Sequence, residues 1–294
     1  MTEPQVIREI APDARVAPDA KIGPFCTVGP DVTIGPGTVL VRRVSIRRCT
    51  QIGSGNHFEE GCAIGEEPQD LKYAGQRTLL IIGHDNYFGR CATAHIGTEA
   101  GGYLTRIGDG NVIDDGAHIA HDCYLDDRIR IGRNVLLAGH IRVHTGAEIG
   151  DMAGVQHFVT IGCHARVGPR TPVRRDVPPY TDFRSLAYDW AAPPAVRGVH
   201  EEGIRAADLD SDAEKDLRRA LSELFEDETA LQTKIEYLNN IGVEGESARL
   251  CEFVRKSLEG PGGRSREKLR GQVPEEARLY LPPEYLAMVR RTLS

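Results

Sequence analysis

Apolar side chains recur at every sixth position through most of the first 173 residues of this 294-residue chain. From Ile10 the series runs Val16, Ile22, Val28, Ile34, Leu40, Ile46, Ile52, Phe58, Ile64. It resumes at Ile82, Phe88 and Ala94. A second run goes from Ile107 through Ile119, Ile131, Val143, Val155 and Val167 to Val173 without a missed step. An α-helix needs a period near 3.6 and a half-buried strand a period of 2, so neither explains a period of six. Three short strands and three turns per coil of about 18 residues, the plan of a parallel β-helix, do explain it. The apolar residue and the small or branched one four places later, as in Ala14, Ala20, Cys26 and Cys123, then point inward and stack from coil to coil. Many apolar positions are followed by glycine, as in Ile22-Gly23 and Ile34-Gly35, which suggests backbone freedom at the corners. Cys26, Cys62 and Cys123 hold the inward small position, where a thiol acts as a compact hydrophobe.

The period breaks twice, at about 65–81 and at about 95–106. Such insertions leave a solenoid as loops and often build its binding face. After Val173 the repeat meets RRDVPPYTDF, whose prolines are expected to end the laddering. From about Ser211 the pattern becomes helical: Ser211 is a candidate cap, and Leu217, Leu221 and Leu224 fall on one face. ESARLCEFVRKSLEG reads as a second helix ending at a Gly-Pro-Gly-Gly break. The expectation is a mainly β chain, with a β-helix over 1–190 and a small α-helical domain over 191–294 that supplies the cap an open solenoid end requires.

Composition narrows the function. A net charge of −7 argues against non-specific nucleic-acid binding, which needs a basic field. No stretch approaches the roughly 18 apolar residues that span a bilayer, and the N-terminus does not read as a signal peptide. Seven cysteines without paired spacing suit a reducing compartment, so a cytoplasmic protein is expected.

Within this frame the string GAHIAHDC acquires a position. His121 falls at an outward turn, with Gly139 one coil on and His157 two coils on. Beside that column stand Asp122, His140 and Phe158, and His118 lies on the adjoining strand edge. Coils stack at about 4.8 Å, so these groups share one patch. A carboxylate next to an imidazole can fix its tautomer, and a glycine amide can donate to an oxyanion. A zinc site of three histidines is the competing reading of the same column. Acid–base work is favoured, with no metal and no cofactor expected.

AHIAHDC, LLAGH one coil later, PQDLKYAG in the first insertion and DVPPY at the solenoid's end together resemble the acyl-carrier-protein-dependent UDP-N-acetylglucosamine O-acyltransferase family, which opens lipid A biosynthesis. That resemblance implies a left-handed β-helix, a helical C-terminal domain and a homotrimer with sites between neighbouring subunits. It implies His121 as general base toward the sugar 3-hydroxyl, Asp122 as its orienting partner and Gly139 as backbone donor to the thioester oxyanion. No covalent enzyme intermediate is needed. His118 and His140 match histidines that support substrate positioning, and Gln69, Asp70, Lys72 and His95 match sugar-nucleotide contacts.

The chain departs from the family in four places, the first being Ile96 where the family's IHRGT motif has arginine. It reads GVQHF where the family has AVHQF, exchanging Gln156 and His157, both retained as candidate substrate contacts. Pro169 replaces a glycine on the floor of the family's acyl groove, so a shorter acyl chain is expected. The segment 181–207 differs, with His200 and Arg205 as loose replacements for the family's nucleotide-gripping asparagine and arginine. Arg166, Arg170, Arg174 and Arg175 form a candidate docking area for the acidic acyl carrier protein. Two alternatives stay open: N-acylation of an amino-sugar nucleotide, and a non-catalytic trimer that binds acyl carrier protein or nucleotide.

Overall fold

The computed structural model describes residues 8–186, 193–227, 229–270, 272, 274–275 and 277–292. The expected boundary between 190 and 191 lies outside the described residues.

The period of six becomes a left-handed parallel β-helix. Each hexad supplies a short strand and a turn, and every third strand falls on the same wall of a three-walled prism. Among the described residues the walls hold nine, eight and ten strands. On the first wall His118–Ile119 pairs in parallel with Leu136–Leu137, which pairs with Gly154–Val155, which pairs with Pro172–Val173. Ile119, Leu137 and Val155 stack inside, as do Cys123, Ile141 and Val159, and none is more than 3% exposed. Each Val, Leu or Ile so buried contributes about 1.5–3 kcal/mol, which makes the register expensive to slip.

The glycines act differently from the expectation. Gly35 and Gly53 do not have positive φ; a Cβ on Gly35 would lie 2.6 Å from the Gly53 carbonyl oxygen of the next coil. They are small because coils stack closely there. The left-handed corner falls largely to non-glycine residues, among them Asp122 (φ 59°), His140 (φ 64°) and Phe158 (φ 63°). Each costs about 1–2 kcal/mol that the ladder on either side must offset.

Laddering also continues past the prolines. Pro178 and Pro179 sit in the turn, where no ladder N–H is needed. Val177 bridges to Ile161, and Thr181–Arg184 pairs in parallel with Arg166–Val167. Ala195–Val199 then closes this third wall as an antiparallel strand. The ends of both insertions belong to the sheet as well: Leu79–Ile82 and Leu104–Ile107 are paired strands of the second wall.

Helices follow: α1 Glu201–Ala206, α2 Ser211–Phe225, α3 Leu231–Asn240, α4 Gly245–Glu259, α5 Ala277–Tyr280 and α6 Pro283–Thr292. The cap of α2 is Asp210 rather than Ser211; its carboxylate accepts from the N–H groups of Asp212 and Ala213. A charged acceptor at the N-cap opposes the helix dipole better than a hydroxyl one residue inside. Leu217, Leu221 and Leu224 pack with Ile235, Leu238, Leu250 and Tyr180, a residue from the end of the solenoid.

After α4 the chain doubles back along the second wall. Tyr285, Leu281 and Ala277 pack with Tyr124, Tyr103, Leu104 and Cys49. Nearer the first wall, the buried Asp176 carboxylate accepts from Thr160 N–H (2.7 Å), Ser265 N–H (2.8 Å) and Ser265 hydroxyl (2.7 Å). This tail covers the second wall and leaves the first wall bare.

Candidate active site

His121 and Asp122 occupy one turn, and the turn's geometry dictates their contact. Asp122 adopts the left-handed corner that a short polar residue tolerates, which turns its carboxylate back toward the preceding imidazole. His121 Nδ1–H donates to Asp122 Oδ2 at 2.7 Å. The second insertion closes over the carboxylate: Thr98 N–H donates to Oδ1 at 2.7 Å and Thr98 hydroxyl to Oδ2 at 2.6 Å. A Cβ on Gly101 would lie 2.0 Å from that carboxylate's carbon, so the loop can pass there only as glycine. Asp122 is 1% exposed, with its backbone N–H on Thr105 hydroxyl. With Nδ1 donating, the lone pair of His121 sits on Nε2.

Gly139 lies directly under that ring. A Cβ there would come within 2.6 Å of His121 Cε1 and 2.9 Å of Nε2. Space, not φ, is what requires glycine at this position. Among the described residues the Gly139 N–H has no acceptor, while its carbonyl accepts from Phe158 N–H.

The neighbouring column is a stack of rings. Phe158 lies parallel to His140 with centroids 4.4 Å apart, and His140 meets His121 edge-on at 5.2 Å. Arg270, from the tail, sits over Phe158 at 4.6 Å, and Arg266 Nε–H donates to the His140 carbonyl. On the other side His118 accepts or donates at Nδ1 with Thr93 hydroxyl, 2.8 Å, and meets His95 edge-on. His95 Nδ1–H donates to the Glu67 carbonyl in the first insertion, 2.6 Å.

Burial holds these flanking histidines neutral. It pushes His118 down to about 4, helped by repulsion from His95 and His121. It pushes His140 down to about 4 against the opposing pull of Asp122. His95 and His157 are lowered too, again chiefly by burial. Of these histidines, His121 lies at hydrogen-bond distance from the buried Asp122 carboxylate, while His140 stands 3.8 Å from it. His121, Asp122 and His140 also group closely enough to be weighed as a metal cluster. The 2.7 Å contact between the first two is a hydrogen bond, so His121 Nδ1 turns a proton rather than a lone pair toward that carboxylate.

The bare first wall forms the floor of a groove of about 1000 Å³. His118, Leu136, Gly154 and Pro172 are its successive rungs, with His121, Gly139, Gln156 and Arg174 along one edge and Gln69 reaching in from the first insertion. Gln69 and His118 also line a second opening with His95, Arg47 and Arg48. The structure thus gathers His121, Asp122, Gly139, His118, His95, His140, Gln69 and Gln156. His157 does not line the groove; its carbonyl accepts from Arg264. Asp70 folds onto the Lys72 N–H, 2.9 Å, and Lys72 is exposed.

Pro169 and the four arginines separate. Pro169 and Arg166 line a different groove on the third wall, with Arg166 on Asp182 at 3.1 Å. Arg174 belongs to the first-wall groove, while Arg170 is an exposed corner. Arg175 lies against Gly263 of the tail. These residues share neither one wall nor one groove of this chain.

Sequence reasoning passed over Thr98, Thr105, Gly101, Leu136, Gly154 and Arg266. Leu136 and Gly154 were reachable, since they stand one and two coils after His118. Thr98, Gly101 and Arg266 reach the site by loop closure, which no period encodes.

Comparison with known proteins bears on the fold and the family. No family model matches the chain. An acyl-[acyl-carrier-protein]–UDP-N-acetylglucosamine O-acyltransferase of Nautilia profundicola is 36% identical over 215 residues, covering 71% of this chain and 78% of that protein. One of the same description from Synechocystis is 34% identical, covering 73% and 75%. Among solved structures, the Francisella novicida UDP-N-acetylglucosamine acyltransferase superposes with a TM-score of 0.79 at 27% identity, covering 94% of this chain and 98% of that one. The Moraxella catarrhalis UDP-N-acetylglucosamine O-acyltransferase gives 0.76 at 33% identity, covering 83% and 93%.

Proposed function

Because the chain belongs to the acyl-[acyl-carrier-protein]–UDP-N-acetylglucosamine O-acyltransferase family, we propose that it moves an acyl group from acyl carrier protein to the 3-hydroxyl of UDP-N-acetylglucosamine, a step of lipid A synthesis. The observation that carries the mechanism is the His121 ring, held by Asp122 at Nδ1 and lying over Gly139 at Nε2. Nε2 takes the hydroxyl proton as the sugar oxygen attacks the thioester carbonyl. The negative charge on that carbonyl oxygen is met by the Gly139 N–H. Collapse expels the carrier thiolate, which recovers a proton from the His121 imidazolium, and Asp122 stabilises the imidazolium in between. No step needs an enzyme nucleophile: Cys123 faces the core, and burial pushes its thiol up to about 12.

His118, His140, His95, Gln69, Asp70, Lys72 and Gln156 are the proposed sugar-nucleotide contacts. Neutral histidines suit hydroxyl and amide groups because they offer a donor and an acceptor without desolvating a charge. His157 is kept as a contact through the tail rather than in the groove. An open wall is too flat to enclose a nucleotide and an acyl chain, so a homotrimer that sets two walls face to face is part of this reading. The same facing arrangement would bring the Pro169 groove into use and shorten the acyl chain it accepts. Arg170, Arg174 and Arg175 are the proposed carrier-protein contacts; Arg166 is already committed to Asp182. Among the described residues no helix is long and apolar enough to cross a membrane.

The test is direct. Purified protein with a panel of acyl carrier proteins and UDP-N-acetylglucosamine should yield an ester-linked product by mass spectrometry and release one carrier thiol per turnover. Turnover only with a 3-amino sugar nucleotide would move the assignment to N-acylation. Binding without thiol release from any pair would make the chain a non-catalytic homologue.

A further inference from the structure

Outside the first-wall groove, a second group of side chains converges where the solenoid meets its first helix. Glu148 stands on the third wall, His200 is the residue before α1, and Glu202 lies in the first turn of α1. One ligand atom from each lies within 4.8 Å of the others. His200 is 2% exposed, and its Nδ1–H donates to the His164 carbonyl at 2.8 Å. That bond places a proton on Nδ1, so in the neutral ring the lone pair is on Nε2. Nε2 is buried, has no hydrogen-bond partner among the described residues, and sits 3.9 Å from Glu148 Oε2 and 4.0 Å from Glu202 Oε2. A lone pair aimed at two carboxylates is repulsive unless something positive lies between them.

The nearby cations do not fill that place. Glu148 is flanked along the wall by Arg130 and Arg166. Arg166 acts on both carboxylates from a distance, yet its guanidinium is forked onto Asp182 at 3.4 and 3.1 Å. Arg218 holds Glu201, not Glu202. Gly203 fixes the ring from behind, since a Cβ there would fall 2.6 Å from His200 Nδ1.

We propose that Glu148, His200 and Glu202 bind a divalent cation of the zinc type that clips α1 to the third wall. Tetrahedral ligands at about 2.0 Å from zinc lie about 3.3 Å apart, so a small rotation of each partly exposed glutamate side chain brings the 3.9 and 4.0 Å separations to that spacing. One imidazole and two carboxylates are a common donor set for that ion. An imidazole whose second nitrogen donates to a backbone carbonyl is its usual supported form. Glu202 is two-thirds exposed, which leaves the ion's remaining position to water. The ion would tie α1 to the third wall at the point where the solenoid meets its first helix.

The experiment uses full-length protein stripped with a chelator and titrated with zinc chloride alone, read by calorimetry and by metal analysis after gel filtration. One zinc per chain is expected, with a rise in melting temperature of several degrees that chelator reverses. Glu202→Gln and Glu148→Gln should each weaken zinc binding at least roughly tenfold, whereas Glu201→Gln and His121→Ala should leave it unchanged. Both glutamates are partly exposed, so these variants are expected to fold even where a His200 variant is not. Zinc retention indifferent to both substitutions overturns the proposal. So does a His200 imidazolium, seen by nitrogen NMR in the stripped protein, that persists unaltered when zinc is added: a proton would then occupy the gap.

Discussion

The first and third walls of the prism share one backbone, one period and one kind of core, yet their outer faces are opposites. Up the first wall the outward rungs are His118, Leu136, Gly154 and Pro172, uncharged at every step. Over the same last coils the third wall reads Arg130, Glu148, Arg166 and Asp182, alternating in sign, after earlier rungs Val39, His57, Tyr87 and Val112 that do not. Within that column Arg166 forks onto Asp182, while Glu148 faces His200. An uncharged column has nothing to pair and so stays open to a ligand. The lesson is that in a solenoid the inward positions fix the fold and the outward positions are free to be spent on chemistry, wall by wall.

That contrast can be broken most severely at His121. His121→Ala should lower turnover by about 10²–10⁴-fold without unfolding the chain, because the ring is a positioned base and not part of the core. Arg166→Ala on the third wall should leave turnover within about threefold, since exposed ion pairs contribute little. Steady-state rates on both variants decide it; equal losses would erase the distinction between the walls.

A smaller effect separates two glycines of the first wall itself. Gly139→Ala drives a methyl into the His121 ring and should cost on the order of 10²-fold in kcat, the usual penalty for displacing a reacting group by about 1 Å. Gly154→Ala adds a Cβ that meets nothing within 4 Å and should leave both kcat and melting temperature nearly unchanged. Should Gly154→Ala instead raise the KM for one substrate selectively, the floor of the groove is more tightly filled than its open space implies.

The smallest effect is one of pH on stability. His118 and His140 are held neutral, with values near 4 against about 6.5 when unfolded. The unfolded chain therefore binds more protons than the folded one between those values. This contribution to stability is complete above roughly pH 6.5 and is lost as pH falls toward 4. Melting temperatures recorded from pH 7.5 to 4.5 should drop less steeply in a His118→Gln, His140→Gln double variant. An unchanged slope would place the acid sensitivity elsewhere.

The sequence by itself determined the coil. Ile119, Leu137 and Val155 had to stack because the period repeats locally and each coil can bury its apolar face only on the next. From that single fact His121, Gly139, Asp122 and His140 follow as neighbours. The period did not reveal why the corners tolerate Asp122 or Phe158 in a left-handed conformation, nor that Gly35 is small for coil stacking. It also misplaced the end of the ladder, because Pro178 and Pro179 fall in a turn where their missing N–H groups matter to no neighbour. Only the tertiary structure decided which groups close over the carboxylate of Asp122, since Thr98 and Gly101 arrive on an insertion outside the repeat. It alone set Arg266 against the His140 turn from 126 residues away and Ser265 against Asp176 from 89, and it alone faced His200 with Glu148. Contacts of that kind arise from chain segments meeting once rather than repeating, and a contact made once leaves no period to read.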